Sequence, residues 1–165
     1  MATGRSIQLN KQIGEYLVAC ELARRGFLVA TFSGNVPDFD ILAGDAGGRS
    51  TPVQVKTIRG GSWQFSVDKF VKVRFEGKKQ VLGSKIAPKI HHLPCVFVLA
   101  TDYGNDRFFI LEWEQLQNIV VSNHTAYLAA KGGVRPKNYK SLHCSVYPDQ
   151  LADFENRWDT ITKRL

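Results

Sequence analysis

The chain has 165 residues, of which 44% are hydrophobic, and a formal net charge of +7. This size and composition predict one domain, residues 1–165, with an adequate core. The longest apolar run, residues 95–100, is too short to cross a membrane, so no membrane partner is expected. Three scattered cysteines favour a reducing, cytoplasmic location, and the sequence lacks a glycine-rich phosphate loop, so no nucleotide cofactor is expected.

An N-terminal helix is predicted over residues 9–25. Asn10 suits the N-cap position of this helix, and Gly26 suits its C-terminal stop. The helix is apolar nearly all round, and Glu15 shares a face with apolar residues at helical spacing. Glu21 has two arginines within one turn and is most simply part of a surface ion pair. We therefore place Glu15 in a candidate site and leave Glu21 out.

Three strands are predicted after the helix, over residues 27–32, 37–43 and 53–56. The first is predicted to be buried and to be followed by a Ser-Gly-Asn turn at residues 33–35. The glycine-rich segment between the second and third strands favours a hairpin. Side chains alternate along a strand, so Asp38 and Asp40 are expected on one face of the second strand. Gln54 and Lys56 share one face of the third strand in the same way. Antiparallel pairing then brings a carboxylate, an amide oxygen and an ammonium together.

This arrangement resembles the PD-(D/E)xK nuclease superfamily, which includes Mrr-type restriction endonucleases and archaeal Holliday junction resolvases. The resemblance covers about residues 9–57 and rests on Glu15, Asp40 in Asp-Ile-Leu-Ala, and Gln54-Val55-Lys56. It implies an α/β fold with a restriction endonuclease-like core, a mixed β-sheet flanked by helices in the order α-β-β-β-α-β. Gln54 stands where most of the superfamily has glutamate, a change that the Mrr-type enzymes share.

The resemblance also implies a metal-dependent endonuclease that hydrolyses DNA with Mg²⁺ or Mn²⁺. The donors to the metal ion would be Asp40, Gln54 through its amide oxygen, Val55 through its carbonyl, and Glu15 directly or through water. Lys56 would position the attacking water. Asp38 is a secondary candidate, because the residues that follow it do not match the motif. Many relatives pair, so a homodimer is one expectation.

Basic charge is concentrated in residues 61–92, which carry seven basic and two acidic side chains. The segment 1–60 has seven basic and five acidic side chains, and 93–165 has eight of each. Clustered basic side chains bind a phosphate backbone, so we expect 61–92 to be a basic insertion that faces DNA. The expected DNA contacts are Lys69, Lys72, Arg74, Lys78 and Lys79. The alternative is an ordinary solvated strand face.

Strands and helices are predicted to alternate over the rest of the chain. The segments are an extended piece at 62–67, an ambiguous strand or helix at 68–82, strands at 95–101 and 107–111, a helix at 113–130, a basic loop at 134–141 and a helix at 148–161. His91 and His92 would point apart on an extended chain and are not expected to bind a metal ion together.

Two functions stay open at this stage. One is an endonuclease of the restriction, repair or junction-resolving type. The other is a catalytically inactive nucleic-acid-binding module on the same fold, which would explain Gln54 and the basic segment equally well. Duplex, branched and modified DNA and RNA all present the same phosphates, so the substrate form also stays open.

Overall fold

The computed structural model describes residues 4–32 and 37–165. Its first elements in chain order are α1 (Gly4–Arg24), β1 (Leu28–Thr31), β2 (Ile41–Gly44), β3 (Ser50–Ile58), β4 (Trp63–Ser66), a 3₁₀ turn (Val67–Lys69), β5 (Val71–Glu76) and β6 (Lys79–Lys85). The remaining elements are β7 (Pro94–Leu99), β8 (Arg107–Glu112), α2 (Trp113–Ala129), β9 (His143–Val146), a 3₁₀ helix (Pro148–Phe154) and α3 (Asp159–Thr162).

Within the described residues, a five-stranded mixed sheet has the order β1-β2-β3-β7-β8. Strands β3 and β7 are parallel, and the other neighbouring pairs are antiparallel. One face of the sheet packs against α1 and α3 through Val18, Leu22 and Ile161. The opposite face packs against β4, β9 and α2 through residues such as Phe65 and Leu116. The expected mixed α/β class, with helices flanking a mixed sheet, is confirmed.

The connection between the parallel strands β3 and β7 differs from the core that the resemblance implies. Residues 59–93, all of them described, contain β4, a single 3₁₀ turn and the β5–β6 hairpin where a crossover helix was expected. Strands β5 and β6 pair with each other, and β4 pairs with β9. The ambiguous segment 68–82 is therefore a short helical turn followed by a β-ribbon. The single-domain organisation stays a prediction.

The N-terminal helix begins earlier than the sequence analysis predicted, at Gly4 rather than near residue 9. Asn10 lies inside the helix rather than at its N-cap, and its Oδ1 accepts a hydrogen bond from Nε of Arg59 at 3.0 Å. No proline interrupts the preceding residues, so the helix continues upstream of Asn10. It ends at Arg24, and Gly26 adopts a φ of +88°, which is consistent with the predicted stop.

The first strand is exposed, so the prediction that residues 27–32 form a buried strand was wrong. Strand β1 is at the edge of the five-stranded sheet, and Leu28 is 69% exposed. An apolar run can form a strand at the edge or at the centre of a sheet, and its composition does not distinguish the two positions. The turn predicted at residues 33–35 lies outside the described residues.

The second strand starts later than predicted. Asp38 has a φ of +76°, a conformation that aspartate tolerates better than most residues, and the chain bends there. Strand β2 therefore begins at Ile41, and Asp38 and Asp40 do not share a strand face. Phe39 packs on the α2 side of the sheet, whereas Ile41 and Ala43 pack on the α1 side.

The C-terminal region also differs from its prediction. The helix expected over 148–161 is divided into a 3₁₀ helix, Pro148–Phe154, and the short α3. Asn156 separates the two with a φ of +56°, which an α-helix cannot accommodate. Strand β9 was not predicted. No described helix is long and apolar enough to span a membrane.

Candidate active site

The carboxylate of Asp40 lies where β2 begins. The N–H of Asp40 donates to the carbonyl of Val53 at 2.9 Å, next to the first ladder pair of β2 and β3, Ile41 with Val53. Asp40 precedes β2, and its side chain, not its backbone, accepts the next hydrogen bond from β3. Val55 N–H donates to Asp40 Oδ2 at 2.8 Å. The Asp40 side chain is 13% exposed. The carboxylate is thus fixed against the backbone of β3.

Strand β3 presents further oxygen atoms beside Asp40. The N–H and C=O of one residue in a strand point toward the same neighbour. Since the N–H of Val55 points toward Asp40, its carbonyl points toward the same edge. Gln54 lies between Val53 and Val55, the two residues of β3 whose backbone groups are hydrogen-bonded to Asp40. Asp40, Gln54 and Val55, which the sequence motif groups together, are therefore adjacent in the structure.

Helix α1 approaches β3 closely at Gly14. A Cβ atom on Gly14 would lie 1.7 Å from Oγ1 of Thr57, a separation that real atoms do not adopt. Glycine therefore permits the helix to lie directly on the strand. Glu15, the next residue of the helix, shares an ion-pair partner with Asp40, the residue before β2.

Replacing Gly14 with alanine should destabilise the protein by about 1–3 kcal/mol, because the helix must move away from Thr57 to relieve the overlap. The matched control is Gly4→Ala on the same helix, where no described atom lies within 4 Å of the added Cβ. Urea denaturation of both variants measures the difference. Equal midpoints would contradict the close approach of α1 to β3.

Lys11 connects the two carboxylates of the site. Its Nζ lies 3.1 Å from Oδ1 of Asp40 and 3.6 Å from Oε1 of Glu15. Burial raises the pKa of Glu15, and the negative charge of Asp40 adds to this effect against the opposing charge of Lys11. Burial alone would lower the pKa of Lys11, but its hydrogen bond to Asp40 and the two negative charges outweigh burial and raise it. Glu15 and Asp40 therefore lie within reach of one cation.

Lys56 extends from β3 on the same side as Gln54 and lies in a partly apolar environment. Its Nζ is 5.9 Å from the centre of the Phe65 ring, and its carbonyl accepts a hydrogen bond from Nε1 of Trp63 at 3.0 Å. Burial lowers the pKa of Lys56, and the charge of Asp40 offsets only part of this effect. An ammonium that is poorly solvated interacts strongly with any anion that enters its surroundings.

A cleft of about 640 Å³ opens in front of Gln54 and Lys56. Its walls are formed by β4, the 3₁₀ turn with Lys69, residues 86–90 and the start of α2. Asp38 lines the cleft, and both of its carboxylate oxygens accept hydrogen bonds from Nζ of Lys89, at 3.0 and 3.2 Å. The secondary candidate Asp38 is therefore paired with Lys89 and does not join Glu15 and Asp40.

The β5–β6 ribbon carries most of the predicted DNA contacts. Its inner face includes Val71 and Gln80, which are buried. Gln80 donates to the carbonyls of Tyr139 and Ser141, so the tip of the ribbon packs on the basic loop 134–141. The exposed basic side chains of the ribbon and its turn are Lys72, Arg74, Lys78, Lys79 and Lys85, of which Lys85 is hydrogen-bonded to Asn118. Lys69 precedes the ribbon and lines the cleft.

A second charged cluster was missed by the sequence analysis. Among the described residues, ligand atoms of His92, Glu112 and Glu114 lie within 4.8 Å of one another. His92 adopts a φ of +55°, so the extended geometry assumed for the two histidines does not hold. Its Nδ1 is 2.8 Å from Glu112 Oε2, its N–H donates to Glu114, and Arg164 donates to Glu112. Through these contacts, His92 connects the loop before β7 to the start of α2.

Comparisons with known proteins found a distant structural neighbour and no match in sequence. No protein-family model matches the chain, and no curated protein matches it. A bacterial homing endonuclease, I-Ssp6803I, is similar in structure with a TM-score of 0.43 and 16% sequence identity. The similarity covers 68% of this chain and 73% of the homing endonuclease.

Proposed function

We propose that the protein is a metal-dependent endonuclease that hydrolyses phosphodiester bonds in DNA. The observation that supports this function most strongly is the position of Asp40. Its carboxylate is fixed on the β3 backbone beside Gln54 and Val55, and one ammonium links it to Glu15. Lys56 projects into the adjoining cleft. The chain order of these residues is that of the PD-(D/E)xK nucleases, which the sequence resembles.

The donor atoms suit a hard divalent cation. Two carboxylates, one amide oxygen and one backbone carbonyl are the ligand types that Mg²⁺ and Mn²⁺ bind, with water and substrate phosphate completing the shell. Lys11 already places a positive charge between Asp40 and Glu15, so this position favours a cation. A bound metal ion would lower the pKa of the attacking water and offset negative charge on the scissile phosphate.

The protein side chains supply the remaining steps. Asp40 and Val55 hold each other in place, which keeps the ligand oxygens in a fixed geometry before the substrate arrives. Lys56 can donate a hydrogen bond to the attacking water and to a phosphate oxygen as charge develops there. Its poor solvation strengthens both contacts. The cleft in front of Gln54 and Lys56 has room for the sugar-phosphate backbone of a nucleic acid.

Glu15 and Glu21 provide a matched pair on one helix. Glu15→Gln should lower the cleavage rate by roughly 10- to 100-fold, as expected when a group that holds a metal ion loses its charge. Glu21→Gln should leave cleavage unchanged, because Glu21 is engaged with Arg24 and Arg25 away from the site. Single-turnover cleavage and a urea denaturation curve for each variant make the comparison. Equal loss of activity in both variants would rule out a specific role for Glu15.

The ribbon is the proposed continuation of the DNA-binding surface beyond the cleft. Its six-residue strand β5 extends about 20 Å, the length of about six base pairs. Replacing Lys72, Arg74, Lys78 and Lys79 together with glutamine should weaken DNA binding. Each lost phosphate contact should reduce the slope of log affinity against log salt concentration by about 0.9. Fluorescence anisotropy over a range of salt concentrations gives this slope.

A second quadruple variant controls for the change in net charge. Arg24, Arg49, Arg157 and Lys163 are exposed basic residues outside the cleft and the ribbon, and each is paired with a nearby acid. Their replacement with glutamine should leave the salt dependence close to that of the wild type. If the two quadruple variants behave alike, the ribbon is not the DNA-binding surface.

A catalytically inactive binding module is the second candidate function. The observation in its favour is Gln54, which gives the site one negative charge fewer than the commoner glutamate. The two functions differ in what Gln54→Glu does. If the site is active, the wild-type protein, which has Gln54, should cleave DNA. If the protein is an inactive binding module, only Gln54→Glu should cleave DNA.

A further inference from the structure

Lys11 is a charged member of the site that the nuclease motif does not include. It lies one helical turn before Glu15, and its Nζ is within ion-pair distance of both Glu15 and Asp40. The two oxygens of Asp40 have different partners. Oδ2 accepts the hydrogen bond from Val55 N–H, and Oδ1 contacts Lys11. Lys11 therefore contacts the oxygen of Asp40 that the β3 backbone leaves available.

A metal ion and the Lys11 ammonium compete for this position. A divalent cation of the size of Mg²⁺ binds carboxylate oxygens at about 2.0–2.1 Å. The ammonium lies 3.1 Å from Oδ1, so the two cations would be close together and would repel each other strongly. The Lys11 side chain is 47% exposed, whereas those of Glu15 and Asp40 are 14% and 13% exposed. The lysine can therefore turn into solvent while the carboxylates stay in place.

We propose that Lys11 is a displaceable counter-ion of the metal site. In the metal-free protein it neutralises the paired carboxylates of Glu15 and Asp40 and keeps them together. It leaves when the metal ion binds, and the loss of its ion pairs reduces metal affinity. Lys11 thus sets the metal concentration at which the site fills. This inference rests on the proposed metal-dependent function.

Isothermal titration calorimetry with Mn²⁺, in the absence of DNA, tests the proposal. Lys11→Met should bind Mn²⁺ roughly fivefold more tightly than the wild type, because two partly exposed ion pairs no longer have to be broken. Lys11→Arg retains the positive charge and should bind Mn²⁺ with nearly the wild-type affinity. Thermal denaturation without metal confirms that both variants fold.

Lys89→Met is the matched control, because Lys89 is also paired with an aspartate near the site, Asp38, but does not contact Asp40 or Glu15. It should change Mn²⁺ affinity by less than twofold. If Lys11→Met binds Mn²⁺ with the same affinity as the wild type, or more weakly, the proposed role of Lys11 is overturned. The proposed metal site itself would still stand. Lack of Mn²⁺ binding by both proteins would overturn the proposed function together with this inference.

Discussion

Asp40→Asn is expected to abolish Mg²⁺ and Mn²⁺ binding and to reduce DNA cleavage below detection. Asparagine has nearly the same shape as aspartate, so its amide oxygen can still accept the hydrogen bond from Val55 N–H. The amide NH₂ then occupies the position of Oδ1 and cannot ligate a metal ion. Mutation of a residue that only supports a metal ligand typically lowers metal affinity by about 10- to 100-fold. Loss of a direct ligand should therefore lower it by roughly 100-fold or more.

The control for this variant is Asp38→Asn, two residues earlier in the chain. Asp38 lines the cleft, is paired with Lys89, and does not contact Glu15 or Lys11 in any described ion pair. Calorimetry should therefore give Asp38→Asn nearly the wild-type metal affinity. If Asp40→Asn binds Mn²⁺ as the wild type does, Asp40 is not a ligand and the site has been misassigned.

Lys56→Met is expected to lower the turnover rate by about 10²- to 10³-fold while metal and DNA affinities change little. Methionine can replace the aliphatic part of the lysine against Phe65, but it provides no hydrogen-bond donor. Lys56 is proposed to act on the water and on charge that develops in the transition state. Its loss should therefore reduce kcat much more than it raises KM.

Lys69→Met is a suitable comparison, since Lys69 lies on the wall of the same cleft but is proposed to contact DNA rather than the reacting atoms. It should raise KM and leave kcat close to the wild-type value. Steady-state kinetics with Mg²⁺ separates the two effects. A Lys56→Met protein with normal kcat, or with metal affinity lost in proportion to its rate, would contradict the role given to Lys56.

The grouping of Asp40 with β3 was accessible from the sequence because it depends on local rules. Glycines between two apolar segments favour a hairpin, and alternation along a strand places Gln54 and Lys56 on one face. The structure has this hairpin, and Asp40 is hydrogen-bonded to the two residues of β3 that flank Gln54, Val53 and Val55. Local pattern is sufficient here, because the residues are close in the chain and their positions follow from strand geometry.

Features that depend on distant contacts were less accessible. The exposure of Leu28 depends on the position of β1 at the sheet edge, which no local pattern specifies. The contact of Gly14 with Thr57 spans more than forty residues of the chain and is visible only once α1 and β3 have packed. The pairing of Asp38 with Lys89 similarly requires the conformation of a loop far along the sequence.

The β-ribbon in the crossover shows a different limit. Residues 71–76 alternate as a strand, and Asp68 suits a helix start, so both interpretations had local support. The structure contains both, as a single 3₁₀ turn followed by β5 and β6. The buried Gln80 and Gln117 stabilise this arrangement through hydrogen bonds to distant backbone carbonyls. Their partners could not be identified from the sequence, because amide side chains are usually exposed.

The central claim is tested most directly by incubating the wild-type protein with duplex, branched and single-stranded DNA in the presence of Mg²⁺, Mn²⁺ or EDTA. Gln54→Glu and Asp40→Asn should be assayed in parallel. The wild type is expected to cleave at least one DNA form with a divalent metal ion and to leave 5′-phosphate ends. It should be inactive in EDTA. Asp40→Asn should be inactive under all conditions. Cleavage by Gln54→Glu but not by the wild type would identify a binding module. If neither the wild type nor Gln54→Glu cleaves DNA, and neither binds a metal ion, the nuclease function is contradicted.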